Sequence, residues 1–255
     1  MNCKGYLLRF IVVISVVFVM FGADQALAAS REIGGYVAQA ESRFVRNVWN
    51  FIKNFKTWKT IGGHQWKYDQ YYYMEPFVFE GSHSAFVDSQ DMAYVACHGN
   101  FWVMACHDKV ADVNLRDCPA YGDLPNGGDL EFLVVESCST ITAFPDPSFD
   151  WNGWRHTATG GIFGGLHQAM GFRSLSQSDN GIPQYFANHC RGNDIVWCGW
   201  FSAVQEERGW LRSFLGMRYP GYASAIMPQK CKYDRMGSYV ADPVASDLLY
   251  SVWED

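Results

Sequence analysis

Two short apolar runs in the middle of the chain each end in reactive side chains. Met92–Ala96 (MAYVA) leads into Cys-His-Gly, and residues 132–135 (FLVV) lead into Glu-Ser-Cys. Short apolar runs bounded by turn residues are typical of strands buried on both faces of a parallel sheet. Ligands bind at the carboxyl edge of such sheets. The pattern therefore predicts an α/β fold in which His98 and Cys138 lie at one sheet edge.

The start of the chain has the pattern of a secretory signal peptide. Two basic residues precede an apolar run at residues 11–21 that is interrupted only by Ser15, and Ala-Leu-Ala at 26–28 is typical of a signal-peptidase site. An uncleaved anchor is disfavoured, because the run is shorter than the ~20 residues that cross a bilayer. We therefore expect a signal peptide at residues 1–28 and a single α/β domain at 29–255. We expect that domain to be secreted or periplasmic, without stable membrane insertion.

The amino-acid composition argues against a disordered chain and against some classes of binding partner. The chain is 49% hydrophobic, 16% aromatic and 18% charged, with a formal net charge of -6. A disordered chain lacks enough apolar surface to offset its conformational entropy, so this composition argues against disorder. Since no basic excess is present to neutralise phosphates, a nucleic-acid partner is also excluded. The sequence leaves the oligomeric state open.

Hydrophobic periodicity predicts the remaining elements. Apolar residues at steps of three and four predict an N-terminal helical segment within residues 29–60, starting at Ser30 as its N-cap. The aromatic-rich residues 65–73 predict a strand buried on one face, with an aromatic platform for sugar or peptide as the alternative. Further expected elements are loops at 117–129 and 144–154, a glycine-rich helix at 160–172, helices at 182–189 and 194–207, and a strand at 222–227.

The cysteine count becomes odd once the expected signal peptide is removed. The chain has 8 cysteines, of which Cys3 lies in that leader. In an exported protein an odd cysteine is a candidate nucleophile or intermolecular bridge, while the others form disulfides. Cys138 is the best candidate for the unpaired thiol, because it follows a buried strand among small residues. The other six are expected to pair, and their connectivity stays open.

A histidine and a cysteine at neighbouring strand ends have the chemistry of a nucleophile and its base. His98 would take the proton of the Cys138 thiol or stabilise its thiolate. The amides of Gly99 and Cys138 would then bind the oxyanion of a tetrahedral intermediate. Gly99 has no side chain, so a substrate carbonyl could come close to it.

This arrangement, an apolar block with His-Gly followed by an apolar block with Cys, resembles the caspase–legumain–gingipain clan of cysteine peptidases. The tetrapeptide at 136–139 is similar to the Glu-Ala-Cys-Glu block of legumain-type enzymes and to the Gln-Ala-Cys-Arg-Gly block of caspases. The surrounding sequence resembles an uncharacterised family of bacterial secreted proteins, and the resemblance covers about residues 75–200. It implies a caspase-like three-layer sandwich with a mostly parallel central sheet flanked by helices. It also implies His98 as base, Cys138 as nucleophile and Gly99 in the oxyanion site.

The chain departs from that clan at several positions. Thr140 stands where caspases have a glycine, and no specificity pocket can be carried over. Cys97, directly before the histidine, is unusual and could compete with Cys138 for oxidation. Three further residues are expected to line the site: Glu136, Ser139 and His167. For His167, an ordinary structural histidine within the glycine-rich segment is the alternative.

Other chemistries have weaker sequence support. The pairs Cys97-His98 and Cys106-His107 invite a zinc site, but their spacing is not that of a zinc knuckle. We therefore expect no metal, and no cofactor. The chain contains no Gly-x-Ser-x-Gly elbow, His-Glu-x-x-His motif or phosphate-binding Gly-x-x-x-x-Gly-Lys loop. The order His then Cys is also opposite to that of papain-type enzymes.

Two functions from different classes follow from these patterns. The first is an exported cysteine peptidase-like hydrolase that uses a Cys-His dyad to cleave peptide bonds, with a peptide or protein as its substrate. The second is a non-catalytic secreted module on the same fold that binds peptide or glycan through its aromatic residues.

Overall fold

An eight-stranded sheet forms the centre of the molecule, in the order β11-β10-β9-β8-β4-β1-β3-β2. The strands are β1 (Arg31–Val37), β2 (Thr60–Ile61), β3 (His64–Tyr73), β4 (Met92–Ala96), β8 (Phe132–Glu136), β9 (Gln168–Phe172), β10 (Ala223–Pro228) and β11 (Leu249–Trp253). The five strands from β3 to β9 in this order are parallel, and β2, β10 and β11 run antiparallel to their neighbours. A smaller sheet joins β5 (Gly99–Asn100), β6 (Val103–Cys106) and β7 (Ala111–Asn114).

The structure is a computed structural model of the chain. It describes residues 31–37, 41–56, 60–106, 111–123, 128–157, 160–177, 181–214 and 221–255. The expected signal peptide at 1–28, Cys3, the N-cap at Ser30 and His107 lie outside these residues. Within the described ranges, no helix combines the length and the apolar character needed to cross a membrane.

Three long helices cover one face of the central sheet, and a short helix, the small sheet and loops cover the other. The helices are α1 (Ser42–Lys56), α2 (Trp151–Trp154), α3 (Ile182–Arg191) and α4 (Val196–Phe214). Apolar residues of α1, α3 and α4 pack with Met92, Tyr94 and Ala96 of β4. The alternate residues Ala93 and Val95 pack on the opposite face with α2, the small sheet and the loops. This is the three-layer α/β class, with a mostly parallel central sheet flanked by helices, that the sequence predicted.

Most of the predicted elements are confirmed. Every residue of β4 and of β8 is buried, which explains why both sequences are continuous apolar runs instead of alternating patterns. The strands expected at 65–73 and 222–227 correspond to β3 and β10, and the helices expected at 182–189 and 194–207 correspond to α3 and α4.

The N-terminal helical segment is only partly correct. Residues Arg31–Val37 form β1, a central strand between β3 and β4, and the helix begins at Ser42. The apolar steps of three and four continued upstream of the helix by coincidence. The physical signal against a helix was Gly34-Gly35, since glycine is a poor helix former. At Gly35 a side chain would overlap Val48 and Ile52 of the helix that packs there.

The glycine-rich helix expected at 160–172 is wrong. Its last five residues form β9, buried on both faces of the sheet, and the residues before it are irregular. Gly160 and Gly161 have φ values of 131° and 99°. These values lie far from those of a right-handed helix and are tolerated at glycine because it has no Cβ.

The expected disulfide pairing is not found. All seven cysteines of the described residues are free thiols: Cys97, Cys106, Cys118, Cys138, Cys190, Cys198 and Cys231. Parity therefore does not distinguish Cys138 from the others, and its assignment depends on its surroundings.

Candidate active site at the carboxyl edge of the sheet

The two strands that carry His98 and Cys138 are neighbours. β4 and β8 are parallel, and their last residues, Ala96 and Glu136, are partners in register. The loops after them are joined as well, because the amide of Trp102 donates to the carbonyl of Thr140 at 3.2 Å. The sequence His-Gly and the sequence Ser-Cys-Ser therefore leave the sheet side by side.

His98 and Cys138 line the same pocket, which has a volume of about 330 Å³. The other lining residues are Arg43, Phe44, Cys97, Glu136, Ser176 and Gln177. A second cavity of about 630 Å³ also has Cys138 in its wall, together with Ser174, Leu175, Ser176, Gln177, Gly221 and Tyr222. Cys138 thus lies where a polar pocket and a more apolar cavity meet.

The imidazole of His98 is held by residues at the start of α1. Its Nε2 lies 3.0 Å from Glu41 Oε1 and 2.8 Å from Arg43 Nη2, and its ring meets Phe44 edge-on at 5.0 Å. A neutral ring nitrogen cannot donate to the carboxylate and accept from the guanidinium at once. When Nε2–H donates to Glu41, Nδ1 is the nitrogen left to accept a proton.

Glu41 is negatively charged near neutral pH. Its partial burial acts to raise its pKa, but the hydrogen bond from His98 and the positive charge of Arg43 outweigh this and lower the pKa. Arg43 Nη2 lies 2.6 Å from Glu41 Oε2. Sequence reasoning missed both residues, since they lie more than fifty positions before His98 in the predicted N-terminal helical segment. No local motif marks them.

Cys138 occupies a tight turn after β8. Its Sγ accepts a hydrogen bond from the amide of Ser176 at 3.4 Å and lies 3.5 Å from the carbonyl oxygen of the same residue. The next residue, Ser139, has a φ of 49°, a conformation that residues other than glycine seldom adopt. Backbone strain of this kind concentrates at functional sites, where the surrounding structure enforces it.

The remaining thiols are less suited to react. Cys97 lines the same pocket but is buried, and burial raises its pKa to about 12. A thiol reacts as its thiolate, so Cys97 is unreactive near neutral pH. Burial also raises the pKa of the other five: Cys106, Cys118, Cys190, Cys198 and Cys231.

Glu136 lines the pocket wall, but its carboxylate is already engaged. Oε1 accepts from Asn47 Nδ2 at 2.7 Å, and Oε2 accepts from the Tyr94 hydroxyl at 2.7 Å. Because Asn47 belongs to α1, this buried carboxylate fastens the helix of Arg43 to the strand of Cys138. Its contribution to the site is to hold these two elements together.

Gly99 and Ser139 belong to the segments that follow β4 and β8. A Cβ at Gly99 would overlap Ser137 Oγ and the Val103 carbonyl, so the absence of a side chain lets these two segments pack together. Ser139 is buried, and its amide donates to the Ser174 carbonyl at 2.9 Å. Neither residue is among those that line the pocket.

His167 does not lie at this edge of the sheet. It precedes β9, and its amide donates to the carbonyl of Glu131, the residue before β8. Since β8 and β9 are parallel, these residues mark the opposite, amino edge. The expectation that His167 lines the site fails because the segment was interpreted as a helix. Within the described residues, the His, Cys and Asp group with metal-ligand spacing includes His167 and also lies at that amino edge.

The chain matches the family model described as a domain of unknown function, DUF6345, over residues 30–227. It belongs to that family. The DUF6345 match includes β4, β8 and both His98 and Cys138. No curated protein matches the chain significantly.

The DUF6345 chain also has a similar solved structure, caspase-1 from Spodoptera frugiperda. The match covers 69% of this chain and 77% of that chain, at 15% sequence identity and a TM-score of 0.37. This TM-score is too low for the match to carry an argument about the fold or the chemistry of the DUF6345 domain.

Proposed function

We propose that this protein is a peptidase-like cysteine hydrolase in which Cys138 is the nucleophile and His98 the base. The observation that carries the proposal is that both side chains line one pocket at the carboxyl edge of the sheet, after adjacent parallel strands. Enzymes use this edge because loops leaving neighbouring strands bring distant residues together. The substrate is a peptide or protein.

The reaction follows from the roles of these two residues. His98 Nδ1 takes the thiol proton, and Cys138 Sγ attacks the carbonyl carbon of the scissile bond. The oxyanion that forms accepts hydrogen bonds from backbone amides. The Cys138 amide is suited to this task, since it donates to no acceptor within the described ranges. His98 then protonates the leaving amine, and water hydrolyses the thioester to regenerate the thiol.

Glu41 is a positioning residue in this proposal. By accepting from Nε2–H it selects the tautomer in which Nδ1 is basic, and it stabilises the imidazolium that forms after proton transfer. Arg43 competes for the same nitrogen and pairs with the same carboxylate.

The proposal is tested by hydrolysis of a peptide library, followed by mass spectrometry. We expect cleavage by the chain of residues 29–255 and none by the Cys138→Ser or His98→Ala variants. Cys198→Ser, which removes another partly buried thiol, is the matched control and should retain cleavage. Equal cleavage by all four proteins would come from a contaminating peptidase and would contradict the assignment.

The binding-module alternative keeps only part of its basis. Four tryptophans of the chain are buried in the core and are not available to stack on a glycan: Trp66, Trp102, Trp154 and Trp200. Trp151 remains accessible at 39% exposure, and so do Tyr68 and Tyr73 of the aromatic-rich strand at 37% and 59%.

Export is proposed from the leader pattern at residues 1–28. The cysteines of the described residues are free thiols, so the folded domain does not need an oxidising compartment for disulfide formation among them. Sequencing the N-terminus of the protein recovered from the periplasm or medium of an expressing bacterium tests this. A mature chain beginning near residue 29 is expected, and retention of the full-length chain in the cytoplasm would contradict it.

A further inference from the structure

A second group of reactive side chains lies at the amino edge of the sheet, opposite the candidate active site. It consists of His167, Cys231 and Asp234, all buried. One ligand atom from each lies within 4.8 Å of the others. β10 runs antiparallel to β9, so the end of β10 returns to the edge at which β9 begins. The chain after β10 therefore brings Cys231 and Asp234 to His167.

Two of the three residues belong to one tight turn. Cys231 closes the 3-10 helix Gln229–Cys231, and the amide of Asp234 donates to the carbonyl of Cys231 at 3.1 Å. The sequence Cys-Lys-Tyr-Asp places two ligand-type side chains three positions apart. This is the spacing of the Cys-x-x-Cys knuckle, in which a turn points two side chains at one metal ion.

Hydrogen bonds orient His167 and Asp234. His167 Nδ1 lies 2.7 Å from Asp234 Oδ2, and His167 Nε2 lies 3.2 Å from Asp242 Oδ1. The other oxygen of Asp234 accepts from the Val240 amide at 3.2 Å. Metal-binding histidines commonly donate their second nitrogen to a carboxylate in this way, which fixes the tautomer and the ring orientation. Asp242 is placed to be that outer partner.

The surroundings carry an excess of negative charge. Glu131 is buried, and its Oε2 makes no hydrogen bond to any described residue. It interacts electrostatically with Asp91, Asp129 and Asp242, and the positive charge of Arg31 acts against theirs. The carboxyl groups at this edge disfavour one another's ionised forms, and a cation bound among them would reduce that repulsion.

We propose that His167 Nδ1, Cys231 Sγ and Asp234 Oδ2 bind a zinc ion. The mixture of nitrogen, sulfur and oxygen donors suits Zn²⁺, since a thiolate disfavours Mg²⁺ and Ca²⁺. Ligand bonds of about 2.0–2.3 Å require donors about 3.4 Å apart, so Asp234 must move back slightly from His167. As the metal binds, the Cys231 thiol releases its proton to solvent, the proton held between His167 Nδ1 and Asp234 Oδ2 leaves as well, and water takes the fourth position.

The role of this site is structural. Zinc would fasten the segment after β10, which includes Cys231 and Asp234, to the start of β9. It takes no part in the chemistry proposed for His98 and Cys138, which lie at the other edge of the sheet. The two proposals therefore stand or fall separately.

The experiment uses Co²⁺ as a spectroscopic probe on the metal-free chain, in a Cys138→Ser background that removes the thiol of the candidate active site. We expect d–d bands of a tetrahedral site together with a sulfur-to-cobalt charge-transfer band. Cys231→Ser should abolish the charge-transfer band, and Cys198→Ser should retain it. Asp242→Asn should lower the Zn²⁺ affinity by about 10- to 100-fold, the usual effect of losing an outer partner.

Two results would overturn the proposal. One is a Co²⁺ spectrum without charge-transfer intensity in the Cys138→Ser background, and the other is an unchanged spectrum in Cys231→Ser. If Cys231→Ser fails to fold, the Asp242→Asn titration decides, because Asp242 lies at the surface side of the site and its loss removes no ligand. An affinity equal to that of the parent protein would then contradict the assigned geometry. Cleavage by the Cys138-containing chain is measured independently and is unaffected by either outcome.

Discussion

The Nε2 atom of His98 lies 3.0 Å from Oε1 of Glu41. His98 follows the central strand β4, and Glu41 directly precedes α1. The pair therefore joins two parts of the chain that are distant in sequence. A carboxylate on one imidazole nitrogen makes the other nitrogen a better proton acceptor. The relationship gives the proposed dyad a third, orienting member.

Glu41→Gln is expected to lower kcat on the order of 10-fold with little change in KM, a part of the 10²–10⁴-fold that a general base contributes. The amide no longer stabilises the imidazolium, so the acidic limb of the pH–rate profile should move to lower pH. Steady-state kinetics across pH measure both effects. Glu206→Gln breaks a similar contact with His189 on the surface and should leave the profile unchanged. An unmoved profile in Glu41→Gln would remove Glu41 from the mechanism.

Asn47→Ala is expected to destabilise the fold by about 1–3 kcal/mol, because it removes a buried hydrogen bond to the charged Glu136 carboxylate. Urea denaturation measures the loss. Lys53→Ala replaces an exposed side chain on the same helix and should change stability by less than about 0.5 kcal/mol. Equal effects of the two substitutions would show that the link between α1 and β8 contributes nothing special.

Gly99→Ala is expected to reduce both stability and thiol reactivity, since the new methyl group would push the β5–β6 hairpin away from the loop of Cys138. Overpacking of this kind costs about 1–3 kcal/mol. Thermal denaturation and alkylation of Cys138 follow the two effects. Gly81→Ala meets open space and is the matched control. A Gly99→Ala protein as stable and reactive as the control would contradict the close packing.

Glu131 makes stability depend on pH. Burial, together with the charges of Asp91 and Asp129, raises the pKa of Glu131 to about 10. Its contribution to stability is complete below the unfolded pKa of about 4.3 and is lost progressively as pH rises toward 10. Glu131→Gln should therefore raise Tm at pH 8 and change it less at pH 4.5, when both proteins are compared in EDTA. A Tm difference independent of pH would contradict this.

The parts of the site that were predictable from the sequence are those marked by a local sequence pattern. The strands before His98 and Cys138 were predictable because both are buried on two faces and form continuous apolar runs. The reactive side chains that follow both strands predicted that the two strands share a sheet edge, and the Ala96–Glu136 register agrees with this. Glu41 and Arg43 were not predictable, since their contact with His98 is created by the packing of α1 on the sheet.

The misinterpretations have physical causes as well. Strand β1 was hidden because its apolar residues happen to continue the period of α1. The parity of the cysteines was a poor guide, because buried free thiols behave as small apolar side chains and need no partner. The sequence did not indicate a metal site at Cys231 and Asp234, because their partner His167 is distant in sequence. The antiparallel pairing of β9 and β10 places the three residues together.

The proposed Cys138–His98 dyad is tested by the rate at which iodoacetamide alkylates each thiol at neutral pH. Mass spectrometry follows the alkylation of each cysteine in the parent protein and in His98→Ala. The proposed dyad predicts that Cys138 reacts fastest and that its rate falls at least about 10-fold without His98, while the rate of Cys198 stays the same. The proposed dyad would be contradicted if Cys138 reacted no faster than Cys198, or if its rate did not change when His98 was replaced.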